Sequence, residues 1–254
     1  GPKIENYYMY AAPVSLYRPG FHKAFKLGSL SGAYGASTAQ GFGLKYVGDN
    51  GFAASTNIVS QGGDDSTGFL TKDDSHKWDT MLAYTGDRKH LSLTYSSQHH
   101  DWTSFEYYAT TAAHDIENDS NATAYALRAY WRPEESGTAT PEISVGYDIL
   151  SVDGQTGNNV SEATSYFVGL GWPDMFRDND YIGFGIGQPL KVTETADGSD
   201  ADDKSLDPIL WELSYSFKVN DSVTMIPAIF GASDIQSSTD QDIFGAALTT
   251  KFKF

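Results

Sequence analysis

The sequence predicts an all-β protein, an antiparallel transmembrane β-barrel, and three observations predict it. Apolar residues alternate with period two in eleven runs, each bounded by Gly, Asn, Asp or Pro, while helical periodicity is nearly absent. The polar faces of these runs are mostly Gly, Ala, Ser and Thr, where the solvated face of a soluble sandwich would carry more Lys and Glu. The connections alternate short and long, as they do in outer-membrane barrels, and a sandwich has no reason to gather its long loops at one end.

The runs come in order from residue 39. Phe42, Leu44 and Tyr46 share one face of the first, and Gly48-Asp49-Asn50-Gly51 then reads as a tight hairpin with its Asn-Gly at positive φ. Phe52, Ala54, Thr56 and Ile58 form the second apolar face. Trp78, Thr80, Leu82 and Tyr84, a turn at 86–88, and Leu91, Leu93 and Tyr95 make the next hairpin. Tyr125, Leu127, Ala129 and Trp131 mark the fifth run, Ile143, Val145, Tyr147 and Ile149 the sixth, and Tyr166, Val168, Leu170 and Trp172 the seventh. The eighth sets Ile182, Phe184 and Ile186 against three glycines, and the ninth sets Ile209, Trp211, Leu213, Tyr215 and Phe217 against Glu212, Ser214, Ser216 and Lys218. The tenth, 223–230, is apolar on both faces and contains Pro227, which weakens a strand assignment. Phe244, Ala246, Leu248, Thr250, Phe252 and Phe254 close the chain. Aromatic residues gather near the run ends, where two interfacial girdles would place them.

The net charge is −16, and nearly all of it lies in the five long connections, 61–76, 99–120, 152–161, 191–206 and 232–241. The runs themselves are almost neutral, as a lipid-facing wall requires. Acidic loops on one side would either gather cations at a vestibule or simply keep that surface hydrated. The acidic balance argues against nucleic acid as a partner, and zero Cys excludes a disulfide scaffold, cysteine-ligated metals and a cysteine nucleophile. No stretch approaches the ~18–20 apolar residues of a transmembrane helix. Gly1-Pro2-Lys3 leads into no apolar signal-peptide region. No Gly-x-Ser-x-Gly occurs, and no enzyme activity or cofactor is expected. His99-His100-Asp101 with His114, and the acidic 197–203 segment, read as solvated loops rather than metal sites.

Charged side chains on polar faces are the lumen-lining candidates: Lys45, Asp79, Arg128, Arg132, Asp148, Glu212, Lys218, Lys251 and Lys253. Each could tune permeation or form a cross-strand ion pair. Their mixed signs predict no strong preference for cations or anions.

Residues 183–189 (GFGIGQP), 211–221 (WELSYSFKVND), Ile226-Pro227 and the closing TTKFKF, supported by 41–47 (GFGLKYV), resemble the carbohydrate-selective (OprB-like) porin family. The likeness is greatest to its cyanobacterial branch, often labelled iron-uptake porins, and this chain looks like the C-terminal portion. The resemblance implies a sixteen-stranded, trimeric outer-membrane barrel that passes small hydrophilic solutes and ions, embedded in outer-membrane lipid. It also implies a preceding surface-layer-homology domain and coiled coil, which this sequence lacks. Phe252 and Phe254 then look like the signal read by the barrel-assembly machinery. Residues 1–38 would supply an inward-folded loop, with Arg18, His22, Lys23 and Lys26 at the constriction, and residues 39–254 the barrel strands. A closed barrel needs an even strand count, so with eleven runs either residues 1–28 supply a further strand, with 4–11 the candidate, or strands upstream of this chain complete the barrel. The alternative in another functional class is a closed barrel with a structural or adhesion role.

Overall fold

The structure, a computed structural model, describes residues 4–5, 38–63, 66, 68–100, 119–198, 207–234 and 242–253. They form one antiparallel sheet in which every strand pairs with its neighbours in sequence. The strands are β1 (Ile4–Glu5), β2 (Thr38–Val47), β3 (Phe52–Ser60), β4 (His76–Thr85), β5 (Lys89–His99), β6 (Asn121–Trp131), β7 (Glu142–Asp153), β8 (Val160–Pro173), β9 (Tyr181–Thr195), β10 (Ile209–Asn220), β11 (Val223–Ser233) and β12 (Ile243–Phe252). From β2 onward they run from 9 to 15 residues, near or above the ~9–11 that a tilted strand needs to cross a bilayer. Among the described residues β12 pairs only with β11, so the sheet is an open arc.

Of the proposed first strand, only Ile4 and Glu5 are described, paired antiparallel with Ala39 and Thr38; the rest lies outside the described residues. β11 forms in spite of Pro227. Its register to β10 is interrupted at Ile226 and Pro227, while both keep partners on β12, Thr249 and Leu248, so the strand continues past the proline. β9 extends to Thr195, well into the stretch expected to be loop. Its register with β8 shifts between Thr164 and Tyr166, placing Pro189 in an irregularity that carries the strand onward.

The first hairpin also differs in detail from the sequence expectation. The Gly51 N–H bonds the Gly48 carbonyl at 3.2 Å, and of the turn residues only Gly51 has positive φ, at 85°. This is a type I turn followed by a left-handed glycine, rather than the doubly positive type I′. A Cβ on Gly51 would strike the Thr85 carbonyl oxygen, which fixes glycine there.

The short turn between β8 and β9 is built around one carboxylate. Asp180, 2% exposed, accepts the N–H groups of Met175, Phe176 and Arg177 at 2.8, 3.1 and 3.0 Å and the Tyr215 hydroxyl at 2.8 Å. Replacing Asp180 by alanine strands these donors, and a loss of about 2 kcal/mol is expected, with asparagine recovering part of it. The shift of the urea midpoint for the folded protein in detergent measures this.

The placement of the core is the reverse of a soluble protein's. On β4, Lys77, Asp79, Met81 and Ala83 are buried while Trp78 and Leu82 are exposed. On β5, His90, Ser92, Thr94, Ser96 and Gln98 are buried while Leu91, Leu93 and Tyr95 are exposed. On β6, Ala122, Ala124, Ala126 and Arg128 are buried while Tyr125, Leu127 and Trp131 are exposed. The sheet therefore hides its polar, small-residue face and presents its apolar one, the arrangement that suits lipid outside and a polar interior. We call the hidden face inward.

Candidate functional site: the inward wall

The outer face sets the depth scale. Cross-strand register aligns Ala54, Leu82, Leu93 and Leu127 in one row. Toward the long connections come Trp78, Tyr95 and Tyr125, the two tyrosine rings 5.4 Å apart, with the Trp78 indole N–H donating to Thr56 Oγ1 at 2.6 Å. Toward the short turns come Phe52 and Tyr84, ring centroids 4.9 Å apart, and Trp131. An aliphatic belt between two aromatic ones follows from parity plus register, and it supplies what a bilayer's core and interfaces ask for.

Opposite this belt, the inward charges fall into three groups. In the first, Arg128 on β6 and Asp148 on β7 form a bidentate pair. Nη2 donates to Oδ2 at 2.9 Å, Nη1 donates to Oδ1, and Nη1 also reaches the Leu127 carbonyl at 2.8 Å. The side chains are 4% and 1% exposed. The Phe167 ring lies 5.7 Å from the guanidinium carbon, and Gly146 makes room for both, since a Cβ there would overlap Phe167 and crowd the Arg128 stem. The arginine is thus held along the wall instead of projecting from it. A buried, doubly bonded pair of this kind keeps its geometry because each partner neutralises the other.

In the second group, Lys77 and Asp79 are two residues apart on one strand and so share a face, with Nζ 3.4 Å from Oδ1 and both side chains nearly inaccessible. Nearby, Gln98 donates to Ser96 Oγ at 3.3 Å. Lys77 is not among the sequence candidates, although its parity with Asp79 gives it the same face. Glu212 is buried too, directly opposite Gly185 and Phe230.

The third group is exposed. Lys45, Lys218 and Lys251 stand on inward positions near the short turns, and Lys253 follows just beyond β12 with its N–H bonded to the Ser222 carbonyl at 2.9 Å. Arg132 belongs to no wall. β6 ends at Trp131, and the Arg132 guanidinium donates to the Asp87 carbonyl at 3.1 Å from Nε and 2.5 Å from Nη2, clamping one short turn to the next. The proposed constriction residues Arg18, His22, Lys23 and Lys26 lie outside the described residues, as does Phe254. Phe252 is described, exposed on the outer face of β12.

Two features of the wall have no forerunner in the sequence reading. Tyr181 and Phe230 each cover a glycine of the adjacent strand, Gly171 and Gly245, and Tyr181 donates its hydroxyl to Glu142 at 3.1 Å. Glycine on the neighbouring strand lets each ring lie flat on the wall, keeping bulk out of the interior. In addition, Leu150, Val152, Val160, Leu190 and Val192 form a buried apolar cluster with Ala122, Ala124 and Ala163 at the long-connection end. The connections expected to be long all join strand ends on that side, but the strict alternation of length does not hold. The β7–β8 connection is only 154–159, shorter than 132–141 and 174–180 on the other side, and Asp153, Lys191 and Glu194 belong to strands because β7 and β9 run further than alternation alone indicates.

No curated protein matches the chain. Among solved structures it is similar to a Pseudomonas aeruginosa FadL homologue, with a TM-score of 0.37 and 12% identity, covering 86% of this chain and 67% of that one. The family model for carbohydrate-selective porins, OprB family, matches residues 80–252, from within β4 to the end of β12. That match spans more than half of the sequence and nearly all of the wall just described, and the chain therefore belongs to the OprB family of carbohydrate-selective porins.

Proposed function

We propose that this chain forms the wall of an outer-membrane diffusion channel for small hydrophilic solutes and inorganic ions, without cofactor or turnover. One observation carries the reading: the sheet exposes a leucine belt between aromatic girdles and buries two ion pairs behind it. A soluble protein gains nothing from exposing Leu82 at 62% and Phe244 at 71% while hiding lysine and arginine, whereas a barrel in lipid requires it. The paired charges make the middle of the wall nearly neutral, which suits neutral hydrophilic solutes as well as ions. Iron, as an inorganic ion, would pass by the same diffusion. The cyanobacterial branch and a trimeric assembly remain part of this proposal on the strength of the sequence resemblance. The full-length protein in planar bilayers is expected to give discrete conductance steps, and their absence would remove the channel reading.

A second reading rests on one observation. The inward faces of β4 and β5 are almost wholly inaccessible, with Lys77, Asp79, Thr94, Ser96 and Gln98 all at 0%. This favours a plugged barrel serving a structural or adhesion role. Liposome swelling in small sugars separates the two, because only an open pore admits the solute.

A further inference from the structure

The described residues leave one inward group of charges without counter-charges. Register places Lys218, Thr224 and Lys251 side by side across β10, β11 and β12. Their inward orientation follows from parity with Ser214, Ile226 and Ala228, all buried. Both lysines are exposed, and among the described residues the ammonium groups of Lys45, Lys218, Lys251 and Lys253 have no ion-pair or hydrogen-bond partner, whereas the inward charges deeper in the wall do. Asp221, in the adjoining turn, is exposed and is not paired with any of them.

Two strand spacings put these lysine backbones about 9–10 Å apart, far enough that solvent screens their repulsion, so both charges stay available to an anion. Edge protection explains a lysine on β12 at most. Lys218 is two strands inside that edge, where no such reason acts. Two ammonium groups on flexible four-carbon stems, with a hydroxyl between them, can close on a single oxyanion: Lys218 and Lys251 supply charge and donors, and Thr224 supplies a further donor.

We propose that Lys218, Thr224 and Lys251, with Lys253 beside them, form an oxyanion-binding subsite at the short-turn mouth, taking dissolved phosphate- or carboxylate-bearing solutes. This deepens the channel reading and rests on it, since it assigns a solute class to one mouth of the pore. By sequence the connections at the opposite strand ends are acidic, which would keep anions on the short-turn side against return.

The test uses the full-length protein and inorganic phosphate as probe. With phosphate added to the short-turn side in planar bilayers, chloride current is expected to fall saturably. In the K218Q/K251Q variant the half-blocking concentration is expected to rise about tenfold or more, with unitary steps retained. In detergent micelles, phosphorus-31 line broadening of inorganic phosphate is expected with the wild type and lost in the variant. K218R/K251R, which keeps the charge, should recover both signals, and single K251Q serves if the double variant does not fold. Broadening that is absent in the wild type, or unchanged in K218Q/K251Q, overturns the subsite. Absence of conductance steps removes the channel reading, and the broadening experiment then still decides the lysine site by itself.

Discussion

Replacing Asp148 by alanine is expected to cost about 3–5 kcal/mol of folding free energy, the largest effect of any single inward substitution considered. The argument begins with the guanidinium of Arg128, which is 4% exposed and gives its two strongest bonds to the Asp148 carboxylate. Without that carboxylate the charge stays where it is. Gly146 and Phe167 shape a slot along the wall that leads the arginine stem to this spot, and the Leu127 carbonyl continues to hold Nη1. An uncompensated buried charge is the costly outcome, far more so than loss of both partners together. The double variant R128M/D148L should therefore lie closer to the wild type than D148A does, and D148N should fall between. Urea unfolding in detergent, followed by tryptophan fluorescence, gives these differences. If D148A unfolds within about 0.5 kcal/mol of the wild type, the pair is hydrated, and the wall at this depth faces open water instead of a packed interior.

How much of this was legible in the sequence depends on which relation between residues a feature needs. Leu91, Leu93 and Tyr95 against Ser92, Thr94 and Ser96 needed only parity within one strand, so β5 and its two faces could be read directly. The same holds for β4, where parity was enough to place Lys77 with Asp79 although only the aspartate was singled out. Arg128 and Asp148 could each be placed inward by parity, but their pairing depends on the β6–β7 register, which alternation does not encode. The row Lys218–Thr224–Lys251 needs two registers and was legible only residue by residue. Parity misled at strand ends and irregularities. Arg132 continues the alternation of β6 on paper, yet the strand stops one residue before it and the side chain turns to a neighbouring turn. Beyond Gln188 the register shift changes which residues face inward, so Leu190 and Val192 join an interior apolar cluster in a segment that read as the start of a loop. Pro227 reads as adverse to a strand because sequence alone cannot show that β11 keeps its register with β12 through the proline while its register with β10 is interrupted.

Leu82→Arg is expected to cost about 2–4 kcal/mol when the protein folds into phosphatidylcholine vesicles, the value for an arginine near the middle of a barrel's lipid face. Leu82 is 62% exposed, and its row neighbours Leu93 and Leu127 are exposed with it, so the substitution opens no cavity and breaks no contact that packing requires. A water-soluble sheet would scarcely register the change, since surface substitutions of this kind stay within about 0.5 kcal/mol. The entire cost comes from placing a guanidinium where Trp78 and Tyr95 on one side and Phe52 and Tyr84 on the other bracket an aliphatic belt. Depth is the control. Tyr46, two thirds exposed and close to the first short turn, sits at an interface where an arginine can reach water, and Tyr46→Arg is expected to cost about 0–1 kcal/mol. Urea titration of folding into vesicles orders the two variants. Equal, negligible costs at both positions would mean that the belt meets water, and with that the bilayer assignment of the outer face would be lost along with the channel behind it.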